Sequence, residues 1–225
     1  MSFDQKAKEY DAWYLSPIGA FVDARETECA MSILPLNLGK NLLDLGCGTG
    51  RFSMKMSLLG YHMTGIDLSE PMLDIARAKA EYAHLNATFY KMNACHLDFP
   101  DETFDGVVSM ALYEFIHDDK AVFEECLRVT KPGGYIMIGT ITANSSWGKM
   151  YQSQMYRADS VFHHAHFKTQ REMENIYPEY LQASKSCVFI PPTHEEGRLT
   201  LEEEVKYSQT EIGAFTCLLW QKPKI

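Results

Sequence analysis

The sequence predicts one α/β domain built around a doubly wound, mostly parallel sheet. Short apolar runs alternate with segments of helical periodicity over about a hundred residues, from Asn41 to Thr140, and this alternation is typical of a parallel sheet with helices on both faces. The first run opens into a glycine-rich turn, and a helical segment closing on Gly60 leads to a second apolar run ending at Asp67. That pattern is one βαβ unit with a ligand loop at its first turn.

The N-terminal residues 1–38 are predicted to form a helical cap that is interrupted at Ser16-Pro17. Tyr10, Trp13 and Tyr14 cluster before this break. Two interpretations stay open for these rings, which either pack the helix onto the body or form a wall of a ligand site.

Five strands are predicted within residues 41–140. They run over Asn41–Leu45, Tyr61–Ile66, Ala87–Lys91, Phe104–Met110 and Tyr135–Thr140. The helices between them are expected to follow Thr49, Ser69 and Asp118, since Ser69 and Asp118 are suited to be N-caps and the apolar residues behind all three recur with helical spacing.

The alternation weakens after Thr140, and residues 141–185 are predicted to form a lid and a helix. Residues 144–168 are polar and aromatic with mixed periodicity, which favours a lid over a small, partly apolar acceptor. Thr169 and Glu172 have the spacing of a capping box, so a helix is expected to begin there.

Residues 186–225 are expected to supply the C-terminal strands of the same domain. Strand-like runs occur at Cys187–Ile190 and at Gly213–Trp220, and the second is predicted to be an inserted or edge strand. The acidic stretch between them, residues 194–208, is predicted to be solvated surface.

Composition excludes several classes of function. The net charge is −9, with 30 acidic and 21 basic residues, so nucleic acid is a poor partner. No apolar run is long enough to span a membrane, and the charged N-terminus does not resemble a secretion signal. The six cysteines are scattered without a CxxC pair, which indicates neither a zinc site nor a disulfide framework. We expect a cytoplasmic protein that is a monomer or homodimer and binds no metal.

The glycine loop and its acids predict the cofactor. Gly46, Gly48 and Gly50 have GxGxG spacing, whereas a dinucleotide site has GxGxxG. Asp44, just before the loop, would repel a pyrophosphate and attract an ammonium group. Asp67, at the end of the second strand, is placed to accept hydrogen bonds from ribose hydroxyls. Ribose joined to an ammonium-bearing, phosphate-free tail describes S-adenosylmethionine (SAM).

The chain also resembles a known family. The segments DLGCGTG, GIDLSEPMLDIARAKA, DFPDETFDGVVSM and RVTKPGGYIMIGT are similar to the successive motifs of class I SAM-dependent methyltransferases, especially the group that includes ubiquinone and menaquinone biosynthesis enzymes. The resemblance covers roughly Phe3 to Thr140 and is specific for cofactor and fold, not for the acceptor. It implies a Rossmann-like, seven-stranded sheet whose last strand is antiparallel.

The resemblance implies a role for most residues around the loop. Gly46, Cys47 and Gly48 would lie under the methionine part of SAM, with Asp44 near its ammonium and the Ser109 backbone nearby.

For the nucleoside half, the resemblance assigns the ribose hydroxyls to Asp67 and the flanks of adenine to Leu68 and Met72. Asn93-Ala94 stands where many relatives have Asp-Ala. The segment around Tyr10 and Tyr14 resembles the family's N-terminal helix, whose tyrosine can close over the cofactor.

The sequence leaves the acceptor and any catalytic group open. Methyl transfer needs mainly alignment of donor and acceptor and exclusion of water, and a general base only if the nucleophile arrives protonated with a high pKa. The candidates lie after the fourth strand, in the N-terminal helix and in the lid; they are Tyr113, Glu114, His117, Tyr14 and the cluster His163, His164 and His166. A non-catalytic SAM sensor and a nicotinamide-dependent oxidoreductase are the alternatives.

Overall fold

A seven-stranded sheet forms the centre of the molecule in a computed structural model that describes residues 3–158 and 160–224. The strands are β1 Asn41–Leu45, β2 His62–Asp67, β3 Ala87–Lys91, β4 Phe104–Met110, β5 Thr130–Ile141, β6 Leu181–Cys187 and β7 Phe215–Gln221. Their spatial order is β3-β2-β1-β4-β5-β7-β6, and only β7 runs antiparallel to its neighbours within this sheet. The structure confirms the predicted doubly wound sheet with its last strand antiparallel, and it places β7 inside the sheet rather than at an edge.

Side chains cap the N-termini of most of the helices, whereas α3 begins after Gly50 without a side-chain cap. They are α1 Phe3–Trp13, α2 Pro17–Ile33, α3 Arg51–Leu58, α4 Glu70–Tyr82, α5 Asp119–Val129, α6 Ser146–Gln152, α7 Gln154–Arg157, α8 Gln170–Glu174 and α9 Leu201–Tyr207. Ser69 and Asp118 accept the expected backbone N–H bonds, and Thr169 forms a full capping box with Glu172. The break between α1 and α2 is confirmed, because Ser16 caps α2 and Pro17 starts it.

Two apolar layers cover the two faces of the sheet. Leu42 points into the layer that holds Val22 of α2, whereas Leu43 of the same strand points into the layer that holds Phe123 of α5. Successive strand residues point to opposite faces. Because both faces are covered, the central strands read as nearly continuous apolar runs rather than as alternating ones.

Two C-terminal predictions need correction, and one contact explains both. The strand expected at Cys187–Ile190 is instead β6, which ends at Cys187. The amides of Phe189 and Ile190 donate to the Glu204 carboxylate at 2.9–3.0 Å rather than to a strand. Glu204 lies on α9 and is buried, so the stretch predicted as solvated surface carries one inward-facing acid. The part of this run after Cys187 is apolar because it is buried, and not because it pairs with a neighbouring strand.

The bounds of two other strands also shift. β5 begins at Thr130, with a register shift against β4, rather than at Tyr135. β2 covers His62–Asp67 instead of Tyr61–Ile66. Across residues 3–158 and 160–224, none of the helices is both long and apolar enough to cross a membrane.

Candidate functional site

Two adjoining cavities open where the sheet order reverses, beside the carboxyl ends of β1 and β4. In a doubly wound sheet the chain leaves this point in opposite directions, which creates a crevice for ligands. The first, the strand-end cavity, has a volume of about 210 Å³ and is lined by the glycine loop with Asp44, Asp67 and Met72. The second, the aromatic cavity, has about 530 Å³ and is lined by rings of α1 together with Trp147, Tyr151 and Phe162.

The glycine loop brings bare backbone to the strand-end cavity. Gly46, Gly48 and Gly50 have φ of +70°, +52° and +76°, values that side-chain-bearing residues rarely adopt. A Cβ on Gly46 would lie 2.7 Å from the side chain of Leu112, whereas one on Gly48 would meet nothing within 4 Å. The Gly48 backbone therefore faces open space, and the loop offers room for a ligand to lie against it.

Asp67 ties the end of β2 to the loop. One carboxylate oxygen accepts from the Gly48 N–H at 2.9 Å, and the other accepts from the Ser69 N–H at 2.8 Å. Each oxygen keeps a second lone pair, so this fixed carboxylate can still accept from two neighbouring hydroxyls. Burial raises its pKa, and the backbone hydrogen bonds act in the opposite direction.

Asp44 supplies a second acid under the loop. It is almost fully buried, and the Ser53 hydroxyl donates to it at 2.5 Å. Burial is the main cause that raises the pKa of Asp44 to about 6; the Ser53 hydrogen bond lowers this pKa and the negative charge of Asp67 raises it. A buried acid and a half-buried acid beside one loop make the cavity favourable for a cation and unfavourable for a pyrophosphate.

The structure brings most of the residues assigned to the nucleoside half to the strand-end cavity. Its lining includes Cys47, Leu68, Met72, Asn93 and Ala94. The Asn93 side-chain oxygen accepts from the Cys95 N–H at 3.0 Å, which orients the amide beside the cavity.

Tyr10 and Tyr14 form a shared wall, since both line both cavities. Their hydroxyl oxygens are 3.2 Å apart, and the Arg51 guanidinium lies 3.8 Å from the centre of the Tyr14 ring. Burial raises the pKa of both phenols, so they stay neutral at physiological pH. Their position along both cavities supports the second interpretation, that these rings form a wall of a ligand site.

Seven predicted residues lie outside the lining of both cavities: Ser109, Tyr113, Glu114, His117 and the lid histidines His163, His164 and His166. The Ser109 hydroxyl is buried and donates to Leu45 O at 2.9 Å, and Met110, Ala111 and Leu112 reach the cavity in its place. Tyr113 points into the apolar layer around α5, because the short turn Tyr113–Phe115 directs it inward.

Glu114 and His117 also make their contacts away from the two cavities. Glu114 is fully buried and accepts from the Ile141 N–H and, at 3.0 Å, from the Thr140 hydroxyl. The His117 ring packs against His166 with centroids 4.5 Å apart.

The lid histidines do not converge on an ion. His163 and His164 contact each other, with ring centroids 4.5 Å apart, while His166 contacts His117. Within the described part of the chain, no group of three or more His, Cys, Asp or Glu side chains has the arrangement of a metal site.

Glu26 of α2 is a residue of the candidate site that the sequence did not predict. It lines both cavities, and burial, reinforced by the charges of Asp23 and Glu114, raises its pKa to about 8. A signal was present, because Val22, Glu26 and Cys29 recur at i, i+4 and i+7, and the two flanking residues are buried. An acid on the buried stripe of a helix indicates a cavity or a partner.

Comparisons with known proteins give consistent results. The sequence model of a family described as a methyltransferase domain matches residues 43–138. A ubiquinone biosynthesis O-methyltransferase of Coxiella burnetii is 32% identical over 143 residues, which are 64% of this chain and 60% of that protein. An uncharacterized protein of Methanocaldococcus jannaschii is 30% identical over 177 residues, 79% of this chain and 78% of that one.

Solved structures show the same fold. A SAM-dependent methyltransferase of Thermotoga maritima, described as a possible histamine N-methyltransferase, superposes with a TM-score of 0.74 at 24% identity, covering 98% of both chains. At this identity the likeness concerns the fold alone. The chain spans between 45% and 60% of the length of the ubiquinone biosynthesis O-methyltransferases that it matches.

Proposed function

We propose that the chain is a SAM-dependent methyltransferase that transfers a methyl group from SAM to a small-molecule acceptor, and the match of residues 43–138 to a methyltransferase domain supports this proposal. The observation that carries this proposal is the pair of adjoining cavities with a shared wall. One is lined by the glycine loop and two acids, and the other by aromatic rings. Donor and acceptor would thus meet at Tyr10 and Tyr14.

The residues of the strand-end cavity fit SAM. Asp67 would accept from its ribose hydroxyls, Asp44 would attract its ammonium group, and Gly48 would let it lie against the backbone. SAM supplies a methyl group on a cationic sulfur, so its displacement by a nucleophile neutralises charge.

The protein's own contribution is then orientation and exclusion of water. The aromatic cavity is walled by rings from α1, α6 and the turn Val161–His164. Holding two reactants in line can be worth roughly 7–11 kcal/mol. The lid predicted at residues 144–168 supports a small, partly apolar acceptor, since Trp147, Tyr151 and Phe162 belong to it.

Calorimetric titration with SAM, S-adenosylhomocysteine (SAH) and NADH tests the donor. We expect SAM and SAH to bind and NADH not to bind. SAH formation is then measured across phenols, amines, thiols and carboxylates. SAM binding without turnover of any acceptor would favour a SAM sensor over an enzyme, and NADH binding would favour an oxidoreductase.

We also propose a small molecule rather than nucleic acid as partner and a cytoplasmic location. The net charge of −9 supports the first, and the six free thiols support the second. A monomer or homodimer remains the expected assembly, since each cavity is lined from within one chain.

A further inference from the structure

Glu26 is an acid without a partner at the junction of the two cavities. It lines both, yet its carboxylate makes no hydrogen bond or ion pair with any residue in 3–158 or 160–224. Asp23, one helical turn earlier, is neutralised twice, by Arg51 at 2.9 Å and by Lys55 at 2.7 Å. The nearby cations are therefore held by Asp23, and Glu26 is left for a ligand.

The walls around Glu26 suit a cation. Tyr10 and Tyr14 border it from the shared wall, and Trp147, Tyr151 and Phe162 line the aromatic cavity. Ring faces attract ammonium groups, and an enclosed carboxylate is costly unless it is paired. An ammonium group would stabilise the ionised form of Glu26, whereas a neutral phenol would not compensate its charge and a carboxylate acceptor would add a second negative charge beside it.

We propose that the methyl acceptor is an amine with an apolar or aromatic body, and that Glu26 binds its ammonium group and takes its proton. This proposal rests on the proposed methyl transfer. The N–H bond of the ammonium breaks and the proton passes to a Glu26 oxygen, leaving a lone pair on nitrogen. That lone pair forms the new N–C bond, while the sulfur keeps the electron pair of the broken S–C bond.

The groups around Glu26 support proton transfer in this direction. It is surrounded by Asp23 and Cys29 of its own helix, Lys55 of α3, Glu114 and the phenols Tyr10, Tyr14 and Tyr151. The neighbouring acids and burial raise its pKa towards that of an alkylamine, and Lys55 has the opposite effect. A base whose pKa approaches that of the acid can take the proton without a large barrier.

Binding to the SAH-saturated protein tests the proposal without requiring turnover. Phenethylamine, 4-ethylphenol and 3-phenylpropanoate are similar in size and differ in charge. We expect calorimetry to show that phenethylamine binds at least tenfold more tightly than the other two. Glu26→Gln should lose at least tenfold in phenethylamine affinity and less than threefold in SAM affinity.

Glu28→Gln is the matched control, because Glu28 lies on the same helix, is largely exposed and pairs with Arg25. It should change neither affinity by more than twofold. If Glu26→Gln instead weakens SAM binding and spares the amine, Glu26 serves the donor and the proposal is wrong. Equal binding of the three probes, or equal effects of the two variants, also overturns it.

Turnover separates this proposal from the proposed function. For amines, kcat/KM of the wild type should rise with pH through about 8. The Glu26→Asp variant should show the same rise, because it keeps a carboxylate, and the Glu26→Gln variant should not. SAH formation with phenols or carboxylates alone would contradict the amine and leave methyl transfer standing. Amine binding that depends on Glu26 without any SAH formation would leave the cation site standing and contradict methyl transfer.

Discussion

At the scale of single residues, Asp67 combines two tasks in one carboxylate. It holds the loop through the Gly48 N–H and caps the next turn through the Ser69 N–H, and its remaining lone pairs face the strand-end cavity. The backbone bonds fix its orientation before a ligand arrives. Binding therefore costs little side-chain entropy.

Asp67→Ala should weaken SAM binding at least tenfold, since both the ribose acceptor and the support of the loop are lost. Calorimetry measures the effect, and circular dichroism checks that the variant is folded. Asp74→Ala is the control, because Asp74 is an exposed acid on α4 that pairs with Arg77. Near-native SAM affinity in Asp67→Ala would refute the ribose assignment.

If Asp44 binds the ammonium group of SAM as proposed, it should make SAM binding dependent on pH. With its pKa raised to about 6, the carboxylate is charged above that value and takes up a proton below it. The attraction for an ammonium group is then lost as pH falls through about 6. We expect the Kd for SAM to be flat above pH 7 and to increase by up to about tenfold per pH unit below 6, the limit for one proton.

Ser53→Ala sharpens this test, because the Ser53 hydroxyl lowers the pKa of Asp44. Its removal should move the pH midpoint of SAM binding upward. An unchanged midpoint would show that another group controls the titration.

These residues differ in how well the sequence predicts them. Gly46, Gly48, Asp44 and Asp67 lie within a few positions of strand ends, so local spacing alone locates them. Local spacing does not locate Glu26, because this residue reaches the site from α2. Its proposed role depends on which cations Asp23 binds. That information is tertiary, and no local pattern carries it.

At the scale of elements, α1 spans both cavities and is held by ionic contacts. Asp11 pairs with Lys79 of α4 and accepts from the Thr49 hydroxyl at 2.7 Å. At the other end of the helix, the Ser69 hydroxyl donates to Asp4 at 2.5 Å. Because Ala7 is the only residue of α1 that is fully buried, these polar contacts add to the ring contact between Phe3 and Phe115, whose centroids lie 5.0 Å apart, in fixing the position of the helix.

Asp11→Ala should therefore loosen α1. We expect faster hydrogen exchange across residues 3–13 and a SAM affinity reduced by about three- to tenfold. Raised salt should also increase exchange and weaken SAM binding in the wild type, because the Asp11 and Lys79 side chains are partly exposed and their attraction is screened. Asp101→Ala provides the comparison, since its exposed pair with Arg128 lies elsewhere. Unchanged exchange in Asp11→Ala would show that the contact does not hold the helix.

Elements with strong periodicity or a cap were predicted well, and buried irregular backbone was not. β3 and β4 have the predicted bounds, and α8 begins at its capping box. Val188 has a φ of +59° and is followed by amides that donate to Glu204. Apolar residues in such a segment cannot be distinguished from a strand by hydrophobicity alone.

At the scale of the whole molecule, we expect Glu26 to make stability depend on pH between about 4.5 and 8. Its ordinary pKa of 4.5 applies to the unfolded chain, and burial raises the value to about 8 in the folded protein. The unfolded chain releases this proton between those two values and the folded protein does not, so stability falls as pH rises from about 4.5 to 8.

Glu26→Gln removes this titration. We expect its Tm to match that of the wild type near pH 5 and to exceed it by several degrees at pH 8, since about 1 kcal/mol shifts the Tm of a protein this size by roughly 2–4 °C. Differential scanning calorimetry between pH 5 and 9 measures the difference. A Tm difference that does not grow with pH would contradict the raised pKa.

The placement of β7 has a consequence for how the chain is made. β6 is hydrogen-bonded to β7 and to no other strand of the sheet, yet β7 follows it in sequence by about thirty residues. During synthesis, β6 has no strand partner until β7 has left the ribosome and paired with β5. The part of the sheet formed by β6 and β7, which packs against α2, is therefore completed last. Translation that stalls before residue 215 would release a sheet of five strands with an open edge.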